Sequence, residues 1–368
     1  MPENPRLEKL RLLMKQHEID LVAIIPGANL RYLTHHVHYL MERPIVLFIP
    51  QEEQPVAVIP QMEIPLFKRH PFQSQLFSWS DAEGYEDAFR QAADVLGLVG
   101  KTIGVEGLRM RFTEGEIIRR FATDAEVQAV DFLFDELRII KTNDEIAALR
   151  QAIHISETAL EKTLQSLKVG MTEIELARAL EHHLRDLGAE ALSFDTILHS
   201  GANSTLPHFG PLNTPIERGH PLLIDFGAVY DGYHADITRT VFVGEVKPEF
   251  REFYEVVQHA NQAGRESAKP GVTAESIDLA TKQVVIDAGY ESLIRARTGH
   301  GLGLETHEPP YIVEGNQQIL GSGMVFTIEP GIYDDGKIGV RIEDDVLITE
   351  DGCESLTTFP RDILIIGD

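Results

Sequence analysis

Cysteine is nearly absent from this chain: Cys353 is the single one in 368 residues. No intrachain disulfide can form, and nothing argues for an oxidising compartment. Long hydrophobic runs are missing too, since no uninterrupted apolar stretch approaches the roughly 18 residues of a membrane span. The N-terminal stretch MPENPRLEKLRLL places charges where a signal peptide needs an apolar core. Basic residues are scarce beside acidic ones, 33 against 58, which leaves a net charge of −25. That balance argues against nucleic acid and anionic membranes as partners, because both recruit basic patches. No serine stands in a nucleophile-elbow motif, and Cys353 has no histidine in its sequence context. Gly301-Leu302-Gly303 lacks the third glycine of a dinucleotide loop. The expectation is a cytoplasmic protein without nucleophilic catalysis.

What is present suits a folded, two-part chain. Hydrophobic content of 43% with 25% charged residues is ordinary for a globular protein with a sizeable core, and the length suggests two domains of about 150 residues each. An amphipathic helix is predicted over residues 6–18, with strands at 21–25, 44–50, 56–60 and 102–106. Helices are expected near 82–96 and 113–122. This alternation predicts a small α/β domain over residues 1–138. From 142 the texture changes. A long helical segment opens with Asn143 as the expected N-cap and Asp144 and Glu145 in its first turn. Further on, LLIDFGAVYDGYHADITRTVFV alternates around Tyr230-Asp231-Gly232-Tyr233, a hairpin signal. Asp225 and Asp236 fall on its opposite arms, so a hairpin brings two carboxylates side by side.

An internal repeat organises this second region. Lys168-Val-Gly170-Met-Thr172 recurs as Lys269-Pro-Gly271-Val-Thr273, 101 positions later. Asp186, Gly188 and Glu190 recur as Asp287, Gly289 and Glu291 at the same offset. Gly219, Asp225 and Gly227 recur as Gly323, Glu329 and Gly331 at an offset of 104. Asp236 and Glu343 occupy corresponding second arms, and His208 corresponds to His307. The pattern predicts two similar helix–helix–hairpin halves related by a pseudo-two-fold axis, with carboxylates meeting at the axis. His199 is the repeat counterpart of His300 and is expected to be structural. Asp344 and Asp345 are read as a solvated acidic edge.

Asp225, Asp236, His300, Glu329 and Glu343 together make a hard, oxygen-rich donor set. It is too acidic for a structural zinc site and too rich for one catalytic ion. Carboxylates that bridge suit two divalent cations sharing an activated water, and the chemistry this implies is hydrolysis.

The contexts IDFG, ADITRT, GHGLGLETHE, TIEPGIY and VRIEDD closely resemble those of the pita-bread metallopeptidases, and among them the Xaa-Pro peptidases, aminopeptidase P and prolidase. The resemblance implies an α+β architecture. A pita-bread catalytic domain with a pseudo-two-fold repeat, residues 139–368, follows a smaller α/β creatinase-type domain, residues 1–138, with NLRYLT at 29–34 in support. It implies that Asp225 chelates one metal, that Asp236 and Glu343 bridge both, and that His300 and Glu329 complete the second. Glu329 would also serve as general base, while His208 and His307 would hydrogen-bond the scissile carbonyl or the substrate backbone. Arg341, two residues before Glu343, would steady that carboxylate.

The implied cofactor is two divalent ions, Mn first, with Co, Zn or Fe as competitors. The implied substrates are peptides with proline at the second position, and a homodimer is the first guess. The N-terminal domain counts against a methionine aminopeptidase. The intact donor set counts against a creatinase-like amidinohydrolase and a non-catalytic pita-bread binding module. One departure stands out: Tyr311 occupies the place, four positions after the second histidine, where prolidases often carry a basic residue. This leaves longer substrates open and tilts the expectation toward aminopeptidase P.

Overall fold

The structure, a computed structural model, describes residues 4–70, 72–206 and 209–367. The chain divides into two compact units, Met1–Arg138 and Ile139–Asp368. In the first, strands β1 (Leu21–Ile24), β2 (Val46–Pro50), β3 (Val56–Pro60), β4 (Gln75–Trp79), β5 (Thr102–Val105) and β6 (Glu126–Ala129) form one sheet in the order β4-β3-β2-β1-β5-β6. Its neighbours run parallel except at β1–β2 and β2–β3. Strands β1, β2 and β3 are buried along their whole length, which is why they read as unbroken apolar runs. Helices Glu86–Leu96 and Phe112–Phe121 pack on the sheet through Phe89, Ala92, Ile117 and Ile118. Strands β4 and β6 escape sequence reading because QLFSW and EVQA lie at the edges, half-exposed, with no clean apolar pattern.

The second unit pairs helix Asn143–Ser166 with Glu173–Asp186, and Pro248–Ser267 with Ala274–Asp287. The first of these corrects an expectation: its N-cap is Thr142, not Asn143. Thr142 accepts the Glu145 N–H at 3.3 Å and donates its own N–H to Glu145 Oε2 at 2.7 Å. This reciprocal box satisfies two helix-end donors, which an Asn143 cap would not. Thr172 caps Glu173–Asp186 with the same reciprocal box to Glu175, and Thr273 caps Ala274–Asp287 by accepting the Ser276 N–H.

Each helix pair leads into a strand pair closed by a hairpin. In the first half, strands Ile197–Ser200, Pro221–Phe226 and Ile237–Val243 run antiparallel in one sheet. In the second, Gly299–Gly301, Val325–Ile328 and Asp344–Ile348 do the same. The turn Asp231-Gly232 joins Ala228–Tyr230 to Tyr233–His234 with φ of 46° and 80°. Positive φ at both central residues is what a two-residue hairpin turn with native twist demands. The equivalent hairpin in the second half joins Gly331–Asp334 to Ile338–Arg341. The repeat is therefore a structural one: an α+β pita-bread unit built of two alike halves. No helix among the described residues is long and apolar enough to cross a membrane.

Candidate metal centre

The strand ends of the two halves deliver the five candidate donors. Asp225 sits in strand Pro221–Phe226, opposite Thr238, and Asp236 immediately precedes the partner strand. Gly227 lets these arms close, since a Cβ there would lie 1.8 Å from the Ala235 carbonyl oxygen. In the other half, Glu329 immediately follows strand Val325–Ile328 and Glu343 immediately precedes Asp344–Ile348. His300 is central in Gly299–Gly301 and takes its backbone partner from Thr327, whose hydroxyl accepts the His300 N–H at 3.1 Å.

Donor atoms of Asp225, Asp236 and Glu343 lie within 4.8 Å of one another, as do those of His300, Glu329 and Glu343. The two groups share Glu343. His300 Nε2 stands 3.2 Å from Glu329 Oε1 and 3.6 Å from Asp236 Oδ2, so the groups adjoin on the Asp236 side as well. The His307 ring meets that of His300 edge-on, with centroids 4.1 Å apart, and joins a third grouping with Asp236 and His300. His307 is exposed, whereas Asp225, Asp236, His300 and Glu343 are buried. His208 lies outside the described residues.

A second layer holds the donors in place. Arg341 corrects the expectation drawn for it: its guanidinium bonds to Asp225 Oδ2 rather than to Glu343. The same side chain donates to Thr238 Oγ1 at 3.0 Å and to the Tyr333 hydroxyl at 2.6 Å. Thr238 in turn donates to Glu343 Oε2 at 2.6 Å, so Arg341 reaches Glu343 only through Thr238. Thr327 donates to Glu329 Oε1 at 3.1 Å. Asp344 and Asp345 are not a solvated edge; both are fully buried. Asp344 pairs with Arg239 at 2.8 Å and Arg361 at 2.6 Å. Asp345 Oδ2 accepts the backbone N–H of Asp236 at 3.1 Å. Sequence reading missed Thr238 and Thr327, although each lies in a strand two residues from a candidate donor just beyond the strand's end, the spacing that puts side chains of extended chain on one face. His199, as expected of a structural residue, is turned to its own half, with Nε2 at 2.9 Å from the Phe209 carbonyl and Nδ1 at 3.6 Å from Glu173.

The electrostatics call for added positive charge. Burial pushes the Asp236 and Glu343 carboxyls well above the usual range, and the neighbouring carboxylates push each further. Burial raises Asp225 too, against the pull of Arg341. Glu329 goes the other way. Burial opposes its charge, yet the hydrogen bond and charge of His300, with Arg341 and Thr327, bring it down to about 2. Asp225 Oδ1 is buried with no hydrogen-bond partner among the described residues. Four crowded carboxylates, one imidazole and an orphaned carboxylate oxygen fit divalent cations, whose charge would offset both the burial and the mutual repulsion.

Fold and donor set together define a metal-dependent hydrolase. Residues 147–350 match metallopeptidase family M24, and residues 6–140 match the creatinase/prolidase N-terminal domain. The chain belongs to the M24 metallopeptidase family. It is 35% identical to an Xaa-Pro dipeptidase of Pyrococcus furiosus, across 98% of this chain and 99% of that one. Among solved structures, a recombinant prolidase from Thermococcus sibiricus superposes with a TM-score of 0.95 at 32% identity, covering 100% of both chains. An X-Pro aminopeptidase from Thermotoga maritima superposes with a TM-score of 0.87 at 33% identity, covering 98% of this chain and 99% of that one.

Proposed function

We propose that this protein is a dinuclear-metal exopeptidase that hydrolyses the bond between an N-terminal residue and a following proline. The observation that carries the reading is the pair of three-residue donor groups sharing Glu343. In this reading Asp225, Asp236 and Glu343 would hold one divalent ion and His300, Glu329 and Glu343 the other, with Asp236 beside both groups. Hard oxygen donors favour Mn; Co, Zn and Fe are the competitors. When bound, such a pair supplies Lewis-acid polarisation and lowers the pKa of a shared water.

The chain's own residues supply the rest. Thr327 orients the Glu329 carboxylate by donating to Oε1, and Glu329 would take the proton of the attacking water and return it to the leaving proline nitrogen. His307, on the open side of the donor cluster, and His208 hydrogen-bond the scissile carbonyl or the substrate backbone. Arg341 keeps Asp225 oriented. A proline nitrogen carries no hydrogen, so the usual amide contact is unavailable and these groups must act on the carbonyl side.

Substrate length turns on Tyr311. It lacks the charge that would meet a dipeptide's carboxylate, but the Arg297 guanidinium lies over its ring, 4.7 Å from the centroid. Arg297 therefore restores a cation beside that position, and the proposed substrates include Xaa-Pro dipeptides as well as longer peptides. A cytoplasmic homodimer acting on peptides, with no nucleic-acid partner, completes the reading; the net charge of −25 supports the last part.

The test is a panel of Xaa-Pro and Xaa-Pro-Xaa peptides given to the metal-stripped chain, with and without Mn or Co, alongside measurement of bound metal. Metal-dependent release of the first residue is expected. Absence of release with either metal at neutral to mildly alkaline pH would overturn the proposal.

A further inference from the structure

Lys141 and Glu308 form an ion pair at 2.7 Å with side chains only 2% and 4% exposed. Desolvation cancels most of the attraction in such a pair, so net stability is a poor reason for its presence. Its placement supplies a better one. Glu308 directly follows His307 and stands opposite Gly301, the residue after His300, where the two strands slip register. Lys141 is anchored independently. Its N–H donates to the Gly323 carbonyl at 2.9 Å, and the chain then enters the Thr142 cap of the long helix.

The turn between the two histidines closes on the same carboxylate. A Cβ on Gly303 would lie 2.6 Å from Glu308 Oε1, so any larger residue there would have to displace the carboxylate that Lys141 holds. Glu308 is therefore held from one side by Lys141 and enclosed from the other by the Gly303 turn. The residue before it presents its ring to His300. Glu308 belongs to none of the three donor groupings.

We infer that the buried Lys141–Glu308 pair is a positioning device that fixes the His307 imidazole against His300, on the open face of the metal centre. Both are positioning residues; His307 is the group that meets substrate. The inference rests on the proposed peptidase reading for its activity arm, and a second arm stands without it.

The experiment compares the full-length chain with Lys141→Met, Glu308→Gln, the doubly neutral Lys141→Met/Glu308→Gln, and Lys141→Arg. Bound Mn, kcat and KM on an Xaa-Pro dipeptide, and imidazole NMR of the histidine-labelled metal-free protein are measured for each, with His307→Asn assigning the signal. The doubly neutral variant, which leaves no charge stranded, is expected to fold and bind two Mn. Its kcat should fall up to about 100-fold, the scale of a displaced catalytic contact, with KM little changed and the His307 signal shifted. Lys141→Arg should recover a substantial part of kcat.

Retention of kcat within threefold in the doubly neutral variant, or an unmoved His307 signal, overturns the inference. So does loss of activity that merely tracks loss of metal or of fold. Should the wild-type chain cleave no Xaa-Pro peptide, the proposed function fails, while the His307 signal still decides whether the pair positions the ring.

Discussion

Arg341 bonds directly to Asp225, joining a residue of the second half-repeat to a donor of the first. Its other contacts, to Thr238 and Tyr333, fix the guanidinium in a plane, so one side chain orients Asp225 and, through Thr238, Glu343. Lysine offers a point charge without this fork. Arg341→Lys is therefore expected to fold but to bind its metals more weakly, by about 10- to 100-fold, as loss of a supporting contact usually costs. Titration of the metal-free variant with Mn checks this; wild-type affinity would sink the assignment.

Glu329 combines three features: a carboxylate held ionised, two partners on Oε1, and a position on the His300 side of the cluster. Glu329→Gln keeps the shape but removes the charge and the proton acceptor. Turnover should fall by at least about 1,000-fold, within the range of a lost general base, and Glu329→Ala should abolish it. Substantial residual activity with two metals bound would refute the double role as donor and base.

The raised carboxyls set the pH dependence of metal uptake. Burial and mutual repulsion lift Asp236 and Glu343 well above the ordinary carboxylate range. A raised folded-state pKa means that their contribution to stability in the metal-free chain is fully present below about pH 4, the unfolded carboxylate range. It is lost as pH rises through the raised values. Cation binding must displace those protons, so affinity should rise from pH 6 to pH 8, with proton release. Calorimetric titration with Mn in buffers of different ionisation enthalpy reads the proton count directly. A melting shift on adding Mn that is no larger at pH 8 than at pH 6 would contradict the assignment.

A second titration belongs to the first unit. His36 is buried against Phe67, with centroids 4.1 Å apart, and neither ring nitrogen has a hydrogen-bond partner among the described residues. Burial, then the charges of His38, His70 and His35, bring its pKa down to about 4. A histidine depressed in the fold favours the native state while neutral, so this contribution is present above the unfolded value near 6.5 and is lost as pH falls toward 4. His36→Phe should flatten the fall in melting temperature between pH 7 and pH 5. An unchanged slope would show that protonation of His36 does not drive it.

The donor candidates were legible because their residue types are chemically restrictive and the repeat places them in register. The surroundings were less so, for physical reasons. Asp344 and Asp345 look like solvent-facing acids because Arg239, which partners Asp344, lies 105 positions away in sequence, and because Asp345 is tied to the Asp236 backbone. The Lys141–Glu308 pair spans 167 positions, and nothing local marks either residue. Sequence proximity pairs Arg341 with Glu343, two positions away; the strand geometry turns it to Asp225 instead. Edge strands β4 and β6 were missed because a half-exposed edge imposes little apolar pattern.

Arg297 decides substrate length in the proposed reading. Its guanidinium lies on the face of Tyr311, and the Tyr311 backbone pairs with that of His300 in the neighbouring strand. A stacked guanidinium keeps its outward N–H groups free in direction, a geometry suited to a carboxylate. A hydrogen bond to a charged group contributes about 1.5–3 kcal/mol, a factor of roughly 10 to 100 in binding. Arg297→Met should therefore raise KM for an Xaa-Pro dipeptide by about that factor. An Xaa-Pro-Xaa amide, whose proline carbonyl carries no charge, should be almost unaffected. Equal losses on the two substrates would mean that Arg297 only braces Tyr311, and that the dipeptide carboxylate is met by another group.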